Sequence, residues 1–200
     1  MANGQVVTGF SMPFIALYAN SGTTVTYSSG TDLARGVDVE ISAEVSDENN
    51  FYANNVKAES AGVKFTSGTV SITIDGLLAE ARKLAFGLPT PSTVTVGSRS
   101  VNVYDYDDNQ DIPYLGFAFV MRTMEDGAEY YTPVVLPKIQ FTTETIAAAT
   151  QEEEIDWQTT PLEANILRDD TANHRWQRIA ERQTSEADAV AVYKAILGIS

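Results

Sequence analysis

Cysteine is absent from this 200-residue chain, which removes disulfides, thiolate nucleophiles and thiolate metal ligands together. The absence leaves the redox compartment undetermined. Histidine occurs once, at His174 in His174-Arg175-Trp176-Gln177-Arg178, with no nucleophile and orienting acid marked beside it. One histidine and no cysteine give zinc no ligand set. Basic residues are few, 13 against 27 acidic, for a net charge of −14. Such a field repels polyanions and argues against nucleic-acid binding through phosphate contacts. Long apolar runs are missing too. Phe14-Ile15-Ala16-Leu17 follows Pro13, is too short to span a bilayer, and has no basic residue before it until Arg35. The expectation is a soluble protein with no export signal and no membrane insertion.

What remains is an ordinary globular composition: 44% hydrophobic and 20% charged residues argue against disorder. The length suits one domain, or one domain with an appendage. Charge divides the chain. Residues 168–200 hold five basic and five acidic side chains, leaving 8 basic against 22 acidic in residues 1–167. The reading is therefore a main domain over 1–167 and a C-terminal extension over 168–200.

The organising stretch runs from Val37 to Asp75. Val37-Asp38-Val39-Glu40-Ile41-Ser42-Ala43-Glu44-Val45 alternates strictly, so a strand here turns Val37, Val39, Ile41, Ala43 and Val45 to one face. Asp38, Glu40, Ser42 and Glu44 take the other. Thr69–Asp75 repeats the period, with Val70, Ile72 and Ile74 inward. Between them lies a long polar excursion, 46–60, containing Asp47-Glu48-Asn49-Asn50-Phe51-Tyr52. A loop of this length in a compact domain is functional or disordered, and its two aromatics argue for contact with a partner.

Elsewhere residues 13–27 read as a hairpin turning at Asn20-Ser21-Gly22, with a second turn at Ser28-Ser29-Gly30. After Asp75 the period becomes helical, with Leu77, Leu78, Ala81, Leu84 and Ala85 on one stripe and a Gly87…Pro89 stop. Thr93–Val96 and Ser100–Tyr104 form a hairpin about Gly97-Ser98-Arg99. Leu115–Thr123 is strongly apolar, with Phe117, Phe119 and Met121 alternating with Ala118 and Val120, as a central strand requires. Glu129–Val135 returns after the Glu125-Asp126-Gly127 turn, and Lys138–Phe141, Ile155–Thr159 and Pro161–Leu167 read as further strands. From Thr184 or Ser185 as N-cap, Ala189, Val192, Tyr193, Ile196 and Leu197 have helical spacing. The predicted fold is mainly β: a β-sandwich or flattened barrel with one inserted helix and a C-terminal helix.

No constellation supports catalysis, and no cofactor is expected. Asp105-Tyr106-Asp107-Asp108-Asn109-Gln110-Asp111 starts like a calcium loop, but Gln110 replaces the sixth-position glycine and Gly116 the twelfth-position glutamate. The EF-hand pattern fails and a solvated acidic loop is the better reading, with no metal site assigned. Glu152-Glu153-Glu154 reads as a solvated run. Arg168, Arg175, Arg178 and Arg182 are interrupted by Asp169, Asp170 and Glu181. They are candidates for contact with acidic surface on another copy, against the alternative of a solvated helix face.

Four segments carry a resemblance: Ala34-Arg35-Gly36-Val37-Asp38-Val39 running into Asp47–Tyr52; Asp75-Gly76-Leu77-Leu78 ending in Gly87-Leu88-Pro89; Tyr131-Thr132-Pro133-Val134-Val135-Leu136-Pro137-Lys138-Ile139; and Glu154-Ile155-Asp156-Trp157-Gln158-Thr159. In order and spacing they resemble the major tail (tail tube) proteins of long-tailed, non-contractile bacteriophages, over most of residues 1–167. The resemblance implies a structural virion protein, assembled in the bacterial cytoplasm. Its β-sandwiches would join a ring-wide β-barrel in six-membered rings that stack into a tube. It implies Asp47, Glu48, Asn49, Asn50, Phe51 and Tyr52 as the ring-stacking loop, and Asp38, Glu40 and Glu44 as lumen-facing candidates. DNA would pass through without specific binding. The partners implied are further copies of the chain, tail-tip or initiator and terminator proteins, and a tape measure protein in the lumen. The alternative is a carbohydrate-binding or calcium-dependent adhesion β-sandwich, supported by the 105–111 loop and nine tyrosines.

Overall fold

The structure is a computed structural model describing residues 4–199 except 109, 147, 149 and 151–156. Within 49–61 it describes side chains only at 54, 55 and 59. Twelve strands and two helices follow in order: β1 (Val6–Ser21), β2 (Thr24–Asp32), β3 (Gly36–Val45), β4 (Asn49–Ala53), β5 (Val56–Ala61), β6 (Phe65–Ile74), α1 (Ala79–Phe86), β7 (Ser92–Val96), β8 (Arg99–Val103), β9 (Leu115–Glu125), β10 (Ala128–Phe141), β11 (Thr160–Leu167), β12 (Arg178–Ile179) and α2 (Glu186–Leu197). The protein is mainly β, as the alternating periods predict. Eight strands form one antiparallel sheet in the order β2-β1-β9-β10-β11-β6-β3, with β12 added on β10. Two hairpins, β4–β5 and β7–β8, stand apart from it as separate two-stranded ribbons.

The sheet buries both faces at its centre and one face at its flank. Leu115, Phe117 and Phe119 of β9 and Val134, Leu136, Ile139 and Phe141 of β10 enter the main core. Val70, Ile72 and Ile74 of β6 and Leu162, Ala164 and Ile166 of β11 join them there, so the sheet folds over on itself. Ala118, Val120 and Val135 point the opposite way, against Ala189, Tyr193 and Leu197 of α2. A strand buried on both faces must be apolar without alternation, which is what Leu115–Val120 displays. Helix α1 adds Ala81, Ala85 and Phe86 to the main core. It ends at Gly87 in the left-handed region (φ 60°), where an added Cβ would lie 1.9 Å from the Asp111 carbonyl oxygen. Helix α2 begins at Ser185, whose Oγ accepts the Asp188 N–H at 3.1 Å, and ends at Gly198 (φ 66°).

Several sequence expectations need correction. Ser28-Ser29-Gly30 is a bulge inside β2, with Ser29 at φ 52°, because the ladder with β1 continues past it to Asp32. Lys138–Phe141 does continue the sheet beyond Pro137, in one strand with Glu129–Val135: β10 runs through the proline, with a register shift between Leu136 and Ile139. Among described residues, Trp157, Gln158 and Thr159 precede β11 and are not part of a strand, while Ile155 and the Glu152–Glu154 run lie outside the described residues. On β3, Val39 and Ile41 are half-buried but Val37, Ala43 and Val45 are exposed. At Val37 the cause is a bulge. Gly36 pairs with Ile74 and Asp38 with Thr73, which leaves Val37 as the extra residue. Helix α1 begins only at Ala79, so Leu77 and Leu78 of the predicted stripe lie before it, and Leu78 stands exposed as its N-cap.

Candidate assembly surfaces

The acidic face is built by three neighbouring strands. Across the β3–β6 ladder, Asp38 pairs with Thr73, Glu40 with Ser71, Ser42 with Thr69 and Glu44 with Ser67. The rows continue onto β11, where Ser71 pairs with Glu163 and Thr69 with Asn165. Backbone pairing puts opposite residues on one face, so four carboxylates share a surface with hydroxyls and an amide. The Ser67 hydroxyl donates to Glu44 Oε2 at 2.6 Å. None of these three strands contains lysine or arginine. The predicted candidates Asp38, Glu40 and Glu44 therefore come together, with Glu163 as a fourth member. Glu163 escapes a local reading because β11 lies far away in sequence and reaches β6 only through the sheet order.

The 46–60 excursion is a β-hairpin that continues the β3–β6 pair, not a loop. Ser46 N–H donates to the Lys64 carbonyl at 2.8 Å, closing the ladder where β4 and β5 begin. The strands turn at Asn54-Asn55, both with positive φ (52° and 63°), the geometry of a type I′ turn that asparagine tolerates. Phe51 pairs with Glu59 and Tyr52 with Lys57 along the backbone. The side chains of Asn49, Asn50, Phe51 and Tyr52 lie outside the described residues, while Asp47 and Glu48 are exposed at the hairpin base.

Two of the four resembling segments meet at the other end of this ladder. The Arg35 N–H donates to Asp75 Oδ1 at 3.0 Å, the Arg35 Nε–H bonds Asp75 Oδ2, and the Asp75 N–H returns to the Arg35 carbonyl at 3.1 Å. The Arg35 hydrogen bonds hold the Asp75 carboxyl below its ordinary value.

The 168–200 segment packs on the same sheet. Trp176 stacks on Phe65 of β6, and Arg178 and Ile179 pair with Val135 and Val134. The four arginines occupy an irregular crossing rather than a helix face. Arg182 bonds Glu125 of its own chain, with its guanidinium 4.0 Å from the Tyr130 ring centroid. Arg168 lies 5.9 Å from the Phe65 ring centroid, Arg168 and Arg175 are exposed, and Arg178 is half-buried. The acids between them hold the crossing in place. Asp169 is buried, and its Oδ1 accepts from the Thr171 hydroxyl at 2.6 Å and the Arg175 N–H at 2.8 Å. Asp170 Oδ2 accepts from Lys138 Nζ at 2.8 Å and the Tyr18 hydroxyl at 2.7 Å. Those two hydrogen bonds, Lys138 first, lower the Asp170 pKa, and burial chiefly raises that of Tyr18. His174 is exposed at φ 48°, its Nδ1 3.3 Å from the Asp169 carbonyl.

In the 105–111 segment, Asp105 accepts from the Ser92 hydroxyl at 2.8 Å and Tyr106 bonds Glu144. Burial and this carboxylate push the Tyr106 phenol up to about 12. Asn109, part of the calcium-loop pattern, lies outside the described residues. Among those described, no three histidine, cysteine or acidic side chains converge on a metal position, and no helix is long and apolar enough to cross a membrane. Trp157, quoted above only for resemblance, is 84% exposed. No protein-family model matches the chain, and comparison with curated proteins finds no match.

Proposed function

We propose that this chain is a structural subunit of a phage tail tube, assembling into stacked rings around a channel for DNA. The observation that carries the reading is the β3–β6–β11 surface, whose strands hold four carboxylates and no lysine or arginine and whose β3–β6 ladder continues into a hairpin. A channel wall of one sign repels the phosphate backbone and lets DNA pass without sticking. A ribbon extending from that wall suits a contact with the next ring. Two open strand edges, β2 and β3, terminate the sheet among the described residues, and neighbours in a ring would satisfy them. The four resembling segments support the same role.

Negative-stain electron microscopy of the purified protein over a range of concentrations, with and without tail-tip proteins, tests the proposal. Rings or hollow tubes are expected. Persistent monomers in the presence of tail-tip proteins would overturn it.

A further inference from the structure

The β7–β8 hairpin has an apolar face and nothing described packed against it. Val94 pairs with Val101 and Val96 with Arg99, and the valines Val94, Val96 and Val101 are 43–55% exposed. Alternation puts these side chains on one face, with Thr93, Thr95, Ser100 and Asn102 on the other. A lone two-stranded ribbon is marginally stable in water, so an exposed valine face on one calls for a cover. The base is anchored by buried Leu88 on one side and by Tyr104, packed against the core, on the other.

A second unpartnered apolar surface lies where the sheet fails to meet itself. Between β1 and β3 runs a groove of about 330 Å³, lined by Val7, Phe10, Val37, Ile41, Met121 and Ile179 among others. The bulge at Val37 holds this lip open, leaving Val37 54%, Val7 60% and Ile179 61% exposed. Asp38, at the bulge where the acidic face of β3 meets this lip, is the one charged residue among those lining the groove. The groove lacks the convergent polar groups that orient a small ligand.

We propose that the β7–β8 hairpin is an arm that seats its valine face in the β1–β3 groove of a second copy of this chain. Charge selects the occupant. Two copies at −14 each repel, so contact must use surfaces poor in acid. The arm carries Arg99 and no acid; the groove carries Asp38 and no base, so the pair is complementary. Position makes the contact intermolecular. Leu88, which leads into the arm, lies with Leu17 at one end of β1, whereas the groove uses Val7 and Phe10. Those ends are roughly 23–33 Å apart at about 3.3 Å per residue, beyond an arm of about 17 Å. An arm at one end and a socket at the other make a head-to-tail contact, which closes into a ring or extends as a filament. The inference rests on the self-association in the tube reading and not on a hollow geometry.

The cysteine-free chain permits a direct test. Val96→Cys and Val37→Cys proteins, mixed and oxidised, are expected to give a disulfide-linked dimer. Pairs that replace Val96→Cys by Thr95→Cys, or Val37→Cys by Ser71→Cys, should give none. Val94→Lys with Val101→Lys should weaken association by on the order of tenfold in sedimentation, with an unchanged circular dichroism spectrum. Hollow tubes from that double variant, with no specific cross-link, would overturn the arm contact and leave the tube reading standing. Specific cross-links in assemblies that are not hollow would do the reverse. Wild-type protein that stays monomeric at every concentration, with tail-tip proteins added, would overturn both.

Discussion

Phe65 and Trp176 stack with ring centroids 4.6 Å apart and planes 5° from parallel. The pair fastens the crossing segment to the start of β6, beside the 49–61 hairpin. Trp176→Ala should therefore cost about 2 kcal/mol, less than a fully buried aromatic because Trp176 is only half-buried. A lowered urea midpoint with unchanged slope would bear this out. An unchanged midpoint would mean that the stack adds nothing to stability.

Replacing residues 48–62 by a two-residue turn should leave a folded core and abolish assembly. The Ser46–Lys64 backbone bond already closes the β3–β6 ladder before the hairpin starts, so that ladder is kept. Circular dichroism and electron microscopy read the two halves of this outcome. Normal tubes from the shortened protein would remove the hairpin from the stacking contact.

Reversing charge on the acidic face separates conduction from assembly. Glu40 and Glu44 are exposed and paired across the ladder with small hydroxyl residues, so Glu40→Lys with Glu44→Lys should not disturb the core. Tubes should form and DNA ejection should slow, as cations on a channel wall bind phosphate. Unchanged ejection kinetics would place this face away from DNA.

The Lys138–Asp170–Tyr18 cluster predicts an acid-sensitive step. Because the folded Asp170 pKa lies below its ordinary 3.8, its contribution is complete above that value and is lost as pH falls through the folded value. Asp170→Asn should lower stability at neutral pH by about 1 kcal/mol, a figure reduced because the carboxylate is over a third exposed to solvent. It should also flatten the acid limb of the stability profile. Parallel acid limbs for the two proteins would contradict the assignment.

Gly87→Ala should be among the most destabilising single changes, at about 2–4 kcal/mol. It places a side chain in the left-handed region and drives Cβ into the Asp111 carbonyl, which must move. Thermal melts compared with Gly97→Ala provide the control, since Gly97 shares the positive φ but meets no atom within 4 Å.

The sequence by itself determined the local features. Period two placed β3 and β6, the Gly87 stop bounded the first helix, Thr184 or Ser185 marked the start of the second, and the apolar run of Leu115–Val120 marked a central strand. Each depends on backbone geometry within a few residues, where pattern and structure share one period. The acidic candidates Asp38, Glu40 and Glu44 were legible for the same reason. Tertiary structure alone decided which faces found cover. One extra residue at Val37 exposes a valine that alternation would bury, and the sheet order brings Glu163 into one row with Glu40, on either side of Ser71, across more than a hundred residues. The arginines of 168–182 likewise lie on a crossing held by Asp169 and Asp170, where composition suggested a separate extension. Bulges, strand order and docking depend on contacts between distant segments, whose energies no local window contains.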